Sequence, residues 1–410
     1  MNDRIITDII AGHGTSAYIF EIEAFAKRAA LIRKYLGGDT GLCYAMKANP
    51  FLVGSVPDLI DRIEVCSPGE YEICMAQGVA PEKLIVSGVN KTETSMRRIL
   101  SLSGGKGIFT LESENHYDIL SRLTAEMKLT ITVLVRLSSG NQFGVDEKTL
   151  ISLLSRVKDD PHMELSGVHY FSGTQKKKAK IERELARLND LSDVLAERFP
   201  AETLELEYGP GLSVSYFQND SEKELSEADP EKQLSVLAEN LAKLREKGYY
   251  KHITVELGRF LTAECGTYVT RAVDVKRMEH GNFVIVDGGI HQLSYYGQMM
   301  GMKLPHMQVL HKKDTGYECE SITSDTEGKQ SFIICGSLCS INDVMIRDLP
   351  ASDLNEEDLL VFERCGAYSM TEGIALFLSR ELPHIFIREQ DGTLVHKRAL
   401  TEINYLNGGS

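Results

Sequence analysis

Short apolar runs recur along the first two thirds of the chain, each followed by a stretch of helical period. The runs are GLCYAMK (41–47), RIEVCS (62–67), LIVSG (84–88), GIFTLES (107–113), TITVLVRL (130–137), LSGVHYFSG (165–173), TLELEYG (203–209) and HITVELG (252–258). They carry the β-branched and apolar residues that suit strands covered on both faces. Between them, PGEYEICMAQG, KTETSMRRILSL and KAKIERELARLNDLSDVLAERF repeat their apolar positions at helical spacing. Eight strand-then-helix alternations predict an α/β fold of the (β/α)8, TIM-barrel type. After residue 265 the texture changes to β-rich runs, among them GTYVTRAVDVKR, GNFVIVDGG, SFIICGS, DLLVFERC and PHIFIREQDG. The opening TSAYIFE reads as a strand that pairs with this later, mostly β region. The predicted organisation is a barrel over 27–265 and a β-rich domain made of 1–26 plus 266–410.

Composition narrows the function by exclusion. The chain has 410 residues, 42% hydrophobic, and a formal net charge of -14 with no long block of one sign, which speaks against nucleic-acid or membrane-surface binding. No apolar stretch approaches the roughly 20 residues that cross a bilayer. The start, MNDRIITDIIAGHG, lacks the basic and apolar segments of a secretion signal, so a cytoplasmic location is expected. The eight cysteines show no C-x-x-C spacing and the eleven histidines no H-x-x-x-H pair, so neither a disulfide framework nor a metal site is expected.

In a barrel of this kind chemistry collects where the strands end, because the loops that follow meet at one mouth. Lys47 closes the first predicted strand, Ser67 to Glu70 follow the second, Gln142 to Asp146 the fifth, His169 to Gln175 the sixth, Gly209 to Leu212 the seventh and Glu256 to Arg259 the eighth. Taken alone, a lysine at a strand end is as readily a rim residue with its stem on apolar surface. Glycine turns such as Gly209-Pro210-Gly211 and Gly173-Thr174 offer close-approaching backbone N–H groups for a phosphate, although a lone G-x-G is more often a tight turn.

Several segments together resemble one family, the fold-type III pyridoxal-phosphate enzymes with their alanine-racemase-like barrel, and within it the diaminopimelate, ornithine and arginine decarboxylases. Tyr44-Ala45-Met46-Lys47-Ala48-Asn49 is similar to the family's Y-A-x-K-A-N, Glu256-Leu257-Gly258-Arg259 to its E-P-G-R, Gly209-Pro210-Gly211 to its G-G-G, Gly366-Ala367-Tyr368 to its G-A-Y, and Gly336-Ser337-Leu338-Cys339 to its G-P-x-C. The resemblance implies pyridoxal 5'-phosphate held as a Schiff base on Lys47, with Glu256 facing the pyridine nitrogen to deepen the ring as an electron sink. It implies Thr174, Gly209, Gly211, Gly258, Arg259 and Tyr368 about the phosphate. It also implies that Cys339 crosses a homodimer interface to deliver the proton that replaces carbon dioxide. Pro210 has no N–H, so Gly211 is expected to carry that phosphate contact.

Three departures bear on the substrate. Phe171 stands where the family stacks a histidine on the ring, and His169 matches an earlier histidine, to which a supporting, substrate-side role is assigned. Ser340 replaces the acidic residue that reads a distal ammonium in diamino-acid enzymes, leaving Asp343 as a substrate reader. The loop HQLSYYGQMMGM (291–302) lacks the arginine expected for a diaminopimelate carboxylate. These features favour decarboxylation of a conjugated amino acid, carrier-linked or citryl-type, as in secondary-metabolism members of the family. The alternatives are a free diamino acid such as diaminopimelate, or, in a different class, an amino-acid racemase or a non-catalytic cofactor-binding protein.

Overall fold

The computed structural model of the chain describes residues 1–201 and 203–408. The chain packs as two units, one formed by 26–214 with 226–261 and the other by 1–25, 215–225 and 262–410. The first strand, β1 (Ala17–Glu21), belongs to the second of these.

The first unit is a closed parallel barrel of eight strands: β2 (Thr40–Ala45), β3 (Arg62–Val65), β4 (Leu84–Val86), β5 (Ile108–Leu111), β6 (Ile131–Arg136), β7 (Met163–Phe171), β8 (Glu205–Gly209) and β9 (His252–Leu257). Each falls within a run anticipated as a strand or begins one or two residues before it. The ring shuts where β9 lies beside β2, with Val255 opposite Leu42. β2 and β8 are buried along their whole length, as expected of strands with side chains on one face and helices on the other. The helices start on side-chain caps. Ser67 Oγ accepts from Glu70 N–H (3.1 Å) ahead of Pro68–Ala76, and Asp146 Oδ1 accepts from Thr149 N–H (2.8 Å) ahead of Glu147–Asp159. Asp146 is therefore a helix cap.

The second unit is a twisted assembly of β1 with β10 (Gly266–Met278), β11 (Gly281–Val286), β12 (Met307–Lys312), β13 (Tyr317–Ser321), β14 (Gln330–Cys335), β15 (Val344–Ala351), β16 (Leu359–Phe362), β17 (His384–Arg388) and β18 (Leu394–Arg398). β1 lies between β10, to which it is antiparallel, and β17, to which it is parallel, so TSAYIFE does pair with the later strands. Ile6, Ile9 and Ile10 of the helix Asp3–His13 pack with Ala17, Ile19, Val269, Leu359 and Phe386 in one core. Residues 215–225 join this unit although they fall inside the expected barrel range. Gln218 N–H donates to Leu304 O, and its Nε2 donates to Pro305 O (3.0 Å) and Ile322 O (2.9 Å).

Candidate active site

Lys47 follows β2 directly, in a single tight turn, Met46–Ala48. The ends of its motif close that turn, because Tyr44 Oη donates to Asn49 O (2.7 Å). The amine is aimed into the barrel. Lys47 Nζ lies 2.7 Å from Glu64 Oε2 on β3, 3.5 Å from Cys66 Sγ and 4.0 Å from Glu256 Oε1 on β9. Burial and the Glu64 carboxylate push the Cys66 thiol well up, so it remains protonated beside the amine. Neither Glu64 nor Cys66 was expected at the site; the signal for Glu64 is a charged residue inside the apolar run RIEVCS.

On the far wall, Glu256 is buried and accepts from His169 Nε2 at 3.0 Å. Burial alone raises a carboxyl pKa, but the His169 hydrogen bond and the Lys47 charge outweigh it and hold Glu256 well below the usual carboxylate range. His169 thus stands against Glu256, both buried in the barrel, a placement beside the carboxylate in place of the substrate-side role expected for it. Glu207 on β8 lies beside this pair, and burial followed by the Glu256 charge pushes its carboxyl up. Behind Glu207, Arg62 reaches across from β3 and binds Glu205 (2.9 Å) and Glu207 (3.4 Å). The barrel interior is therefore polar and charged over half its circumference, an arrangement that binding or catalysis explains better than stability.

Phe171 ends β7, its ring against Gly209, where an added Cβ would come within 2.4 Å of Phe171 Cδ2. Gly211, with φ +59, sits so close to Gly173 that a Cβ would fall 2.1 Å from Gly173 O. The two glycine turns are thus in contact. Arg259 Nε donates to Thr174 Oγ1 (3.3 Å), which brings the ends of β7 and β9 to the same place. Lys47, Phe171, His169, Thr174, Gly209, Gly211, Glu256, Gly258 and Arg259 all belong to the barrel unit.

Cys339, Ser340, Asp343 and Tyr368 belong to the other unit. Cys339 is exposed on a loop between β14 and β15. Asp343 is buried at the loop's base, and its carboxylate accepts from Ile290 N–H (2.9 Å) and Leu338 N–H (2.8 Å). Both oxygens are occupied by backbone, so Asp343 shapes the cysteine loop, a correction to the expectation that it reads substrate. Ser340 Oγ accepts from Asn342 N–H (3.2 Å) in the same loop. Tyr368 is half-buried with φ 64, a conformation uncommon for a bulky residue and frequent at functional sites. A cavity of about 550 Å³ lies within this unit, lined by Leu293, Met299, Met300, Asn342, Glu372 and Ile374 among others.

Comparison with known proteins bears on both units. The profile of a family described as pyridoxal-dependent decarboxylase, pyridoxal binding domain, matches residues 22–263. The diaminopimelate decarboxylase of Zymomonas mobilis is 24% identical over 98% of this chain and 94% of its own length. The L-glutamyl-(BtrI acyl-carrier protein) decarboxylase of Niallia circulans is 24% identical over 81% of this chain and 78% of its own. The 2-((L-alanin-3-ylcarbamoyl)methyl)-2-hydroxybutanedioate decarboxylase of Staphylococcus aureus is 23% identical over 94% and 98%. Among solved structures, the diaminopimelate decarboxylase of Helicobacter pylori complexed with L-lysine has the same fold, with a TM-score of 0.79 at 19% identity and 96% of both chains covered.

Proposed function

The chain belongs to the pyridoxal-dependent decarboxylases, carboxy-lyases that use pyridoxal phosphate, and from that premise we propose that it decarboxylates a conjugated amino acid, one whose far end is extended by a carrier-linked or citryl-type group. The observation that carries this reading is the cavity beside Asn342 and Val344. Apolar side chains such as Ile290, Leu293, Met299, Met345, Phe362 and Ile374 make up much of its wall, and the neutral Ser340 stands next to the cysteine of the adjoining loop. Relatives named for carrier-linked and citrate-like conjugates support it. Glu372 on the same cavity wall favours a second reading, in which the carboxylate holds the distal ammonium of a free diamino acid.

The barrel residues fit the cofactor. His169 Nδ1 is buried with no hydrogen-bond partner among the described residues, a polar atom of the kind a bound group satisfies. Gly173, at φ +122, opens onto space where an added Cβ would meet nothing within 4 Å, leaving bare backbone for a phosphate. We assign the phosphate to Thr174, Gly209, Gly211, Gly258 and Arg259, and the ring face to Phe171, whose flat apolar surface keeps water off.

When bound, pyridoxal phosphate supplies a conjugated ring that accepts the electron pair of the breaking bond to the carboxylate carbon. Lys47 would hold the cofactor through Nζ, with Glu64 and Cys66 fixing where that amine sits. Glu256, held ionised by His169 and Lys47, would hold a proton at the ring nitrogen. Cys339 from a second copy of the chain would supply, from Sγ, the proton that replaces carbon dioxide. The placement of glutamate at the Glu256 position, where a racemase of this fold has arginine, favours decarboxylation.

A homodimer in the cytoplasm is part of the same proposal. Ile341, beside Cys339, is 92% exposed, and Leu376, Phe377 and Leu378 are also exposed. Arg380 Nη2 donates to Ser337 O (2.7 Å) and ties that apolar stretch to the cysteine loop, forming a patch that a partner would cover. No helix among the described residues is long and apolar enough to cross a membrane.

The test is carbon dioxide release, followed by mass spectrometry, from diaminopimelate, ornithine, lysine, arginine, glutamate and their D-forms, alongside citryl-diamino-acid and carrier-linked glutamyl conjugates. Turnover confined to conjugates is expected. Turnover of a free diamino acid at comparable kcat/KM would move the assignment to the second reading, and racemisation without carbon dioxide release would overturn both.

A further inference from the structure

The side chain of Lys176 is fully buried two residues beyond Thr174, and nothing so far gives it a role. Its Nζ lies 2.8 Å from Glu184 Oε2 and donates to Gly209 O at 2.9 Å, while its backbone N–H donates to Gly211 O, also at 2.9 Å. Both carbonyl groups that flank Pro210 in the Gly209-Pro210-Gly211 turn are therefore drawn to one residue. Glu184, on the helix Lys178–Ala196, is held in turn by Tyr208 Oη (2.9 Å) and by Ser172 Oγ, so the ion pair has one orientation, its positive end against the turn.

Such a pair contributes little to stability, because removing two charges from water offsets most of their attraction. Two apolar residues between the rings of Phe171 and Tyr208, each 5.5 Å from Nζ, would pack there as well. Its position suggests a use. Pro210 cannot donate a hydrogen bond, so the turn lacks one of the N–H groups that a three-glycine turn turns toward an anion. The carbonyl of the Gly209–Pro210 peptide would otherwise present its negative end nearby.

We propose that Lys176 is a positioning residue for the cofactor phosphate: its buried ammonium captures the Gly209 carbonyl and supplies, from beneath the turn, the positive potential that Pro210 withholds. This rests on the assignment of the phosphate to Thr174, Gly209 and Gly211. The ligand chemistry is a phosphate monoester dianion, to which a desolvated cation beneath the turn would couple.

The experiment compares two cofactor forms on the full chain stripped of cofactor by dialysis, titrated with pyridoxal phosphate and with pyridoxal, which lacks the phosphate, while bound chromophore is followed by absorbance. Lys176→Met is expected to lower the ratio of the two affinities by about tenfold or more, because only the phosphorylated form senses the charge. Lys176→Gln removes the charge and keeps a donor for Gly209 O, and serves if the methionine variant does not fold. Equal weakening of both ligands would mean a packing defect and would overturn the proposal, as would an unchanged ratio. Thr174→Ala and Gly211→Val are run alongside. If they alter the ratio and the Lys176 variants do not, the role of Lys176 fails by itself. If none alters it, the phosphate assignment fails too.

Discussion

His169 Nε2 lies 3.0 Å from Glu256 Oε2, both side chains being buried in the barrel, and against the burial that raises the carboxyl pKa this hydrogen bond acts with the Lys47 charge to keep the carboxylate ionised. The folded pKa of Glu256 lies below the ordinary carboxylate value, so its ionised form persists as the pH falls and is lost only when the pH drops through that lowered value. Replacing His169 by Phe leaves burial to act with less opposition. The acidic limb of the kcat profile should then move to higher pH by about one unit or more. Glu256→Gln should cost about a hundredfold or more in kcat while cofactor remains bound. Profiles of kcat against pH for the three proteins check this; an acidic limb unmoved in His169→Phe would remove His169 from the role.

A shared site makes a numerical prediction. Lys47→Ala and Cys339→Ala are each expected to be inactive. Mixed after unfolding and refolding together, random pairing gives half mixed dimers, each with one intact site of two, so about a quarter of wild-type activity should return. Mixing that restores nothing would place both residues in one chain's site.

Asp343 holds the cysteine loop by two backbone amides, 2.9 and 2.8 Å away. Asp343→Asn keeps the shape and loses the charge, weakening hydrogen bonds worth about 1.5–3 kcal/mol each to a charged group. We expect hydrogen exchange over 337–343 to quicken and kcat to fall, with affinity for pyridoxal phosphate unchanged. A matching loss of cofactor would show that the loop does more than carry Cys339.

In the β-rich unit the two ring nitrogens of His311 lie 3.1 Å from an Asp358 carboxylate oxygen and 2.9 Å from one of Glu320, so the protonated ring donates to both. The Asp358 hydrogen bond, opposed by burial and aided by Glu320, raises its pKa. A raised folded value means that the stabilisation is complete below the unfolded histidine value of about 6.5 and disappears as the pH climbs through the folded one. Calorimetry at pH 6 and pH 9 should show a larger drop in Tm for the wild type than for His311→Gln. Equal drops would put the pH dependence elsewhere.

Most of the barrel and the place of Lys47 at the end of its first strand were legible because the information is local: a strand, its closing motif and the helix after it lie within one short window of sequence. β13 and β18 were not, since YECES and LVHKR are edge strands exposed at most positions, without the alternation that marks a strand against a core. β15 carries Pro350, which argues against a strand when met in isolation. Glu64 was hidden for another reason: it comes near Lys47 only through the register of β2 against β3, whereas Glu256, which closure of the ring brings to the same place, was marked by its motif. Asp343 shows the limit of motif reading, because its neighbours in sequence mark a functional loop and its neighbours in space make it a brace.

The position of β1 has a consequence for biosynthesis. Its two sheet neighbours begin at Gly266 and His384, so β1 gains its first lasting partner only after the whole barrel sequence has been made, and its second only when β17 follows. At about 5–20 residues per second the first wait is roughly 12 to 50 s and the second roughly 20 to 70 s. Until β10 arrives the strand presents two open edges and the apolar side chains of Tyr18, Ile19 and Phe20, while the barrel, whose strands all follow in order, can close during translation. Translation speed and chaperone supply, rather than the stability of the finished fold, should therefore govern how much of this enzyme reaches the active state in a cell.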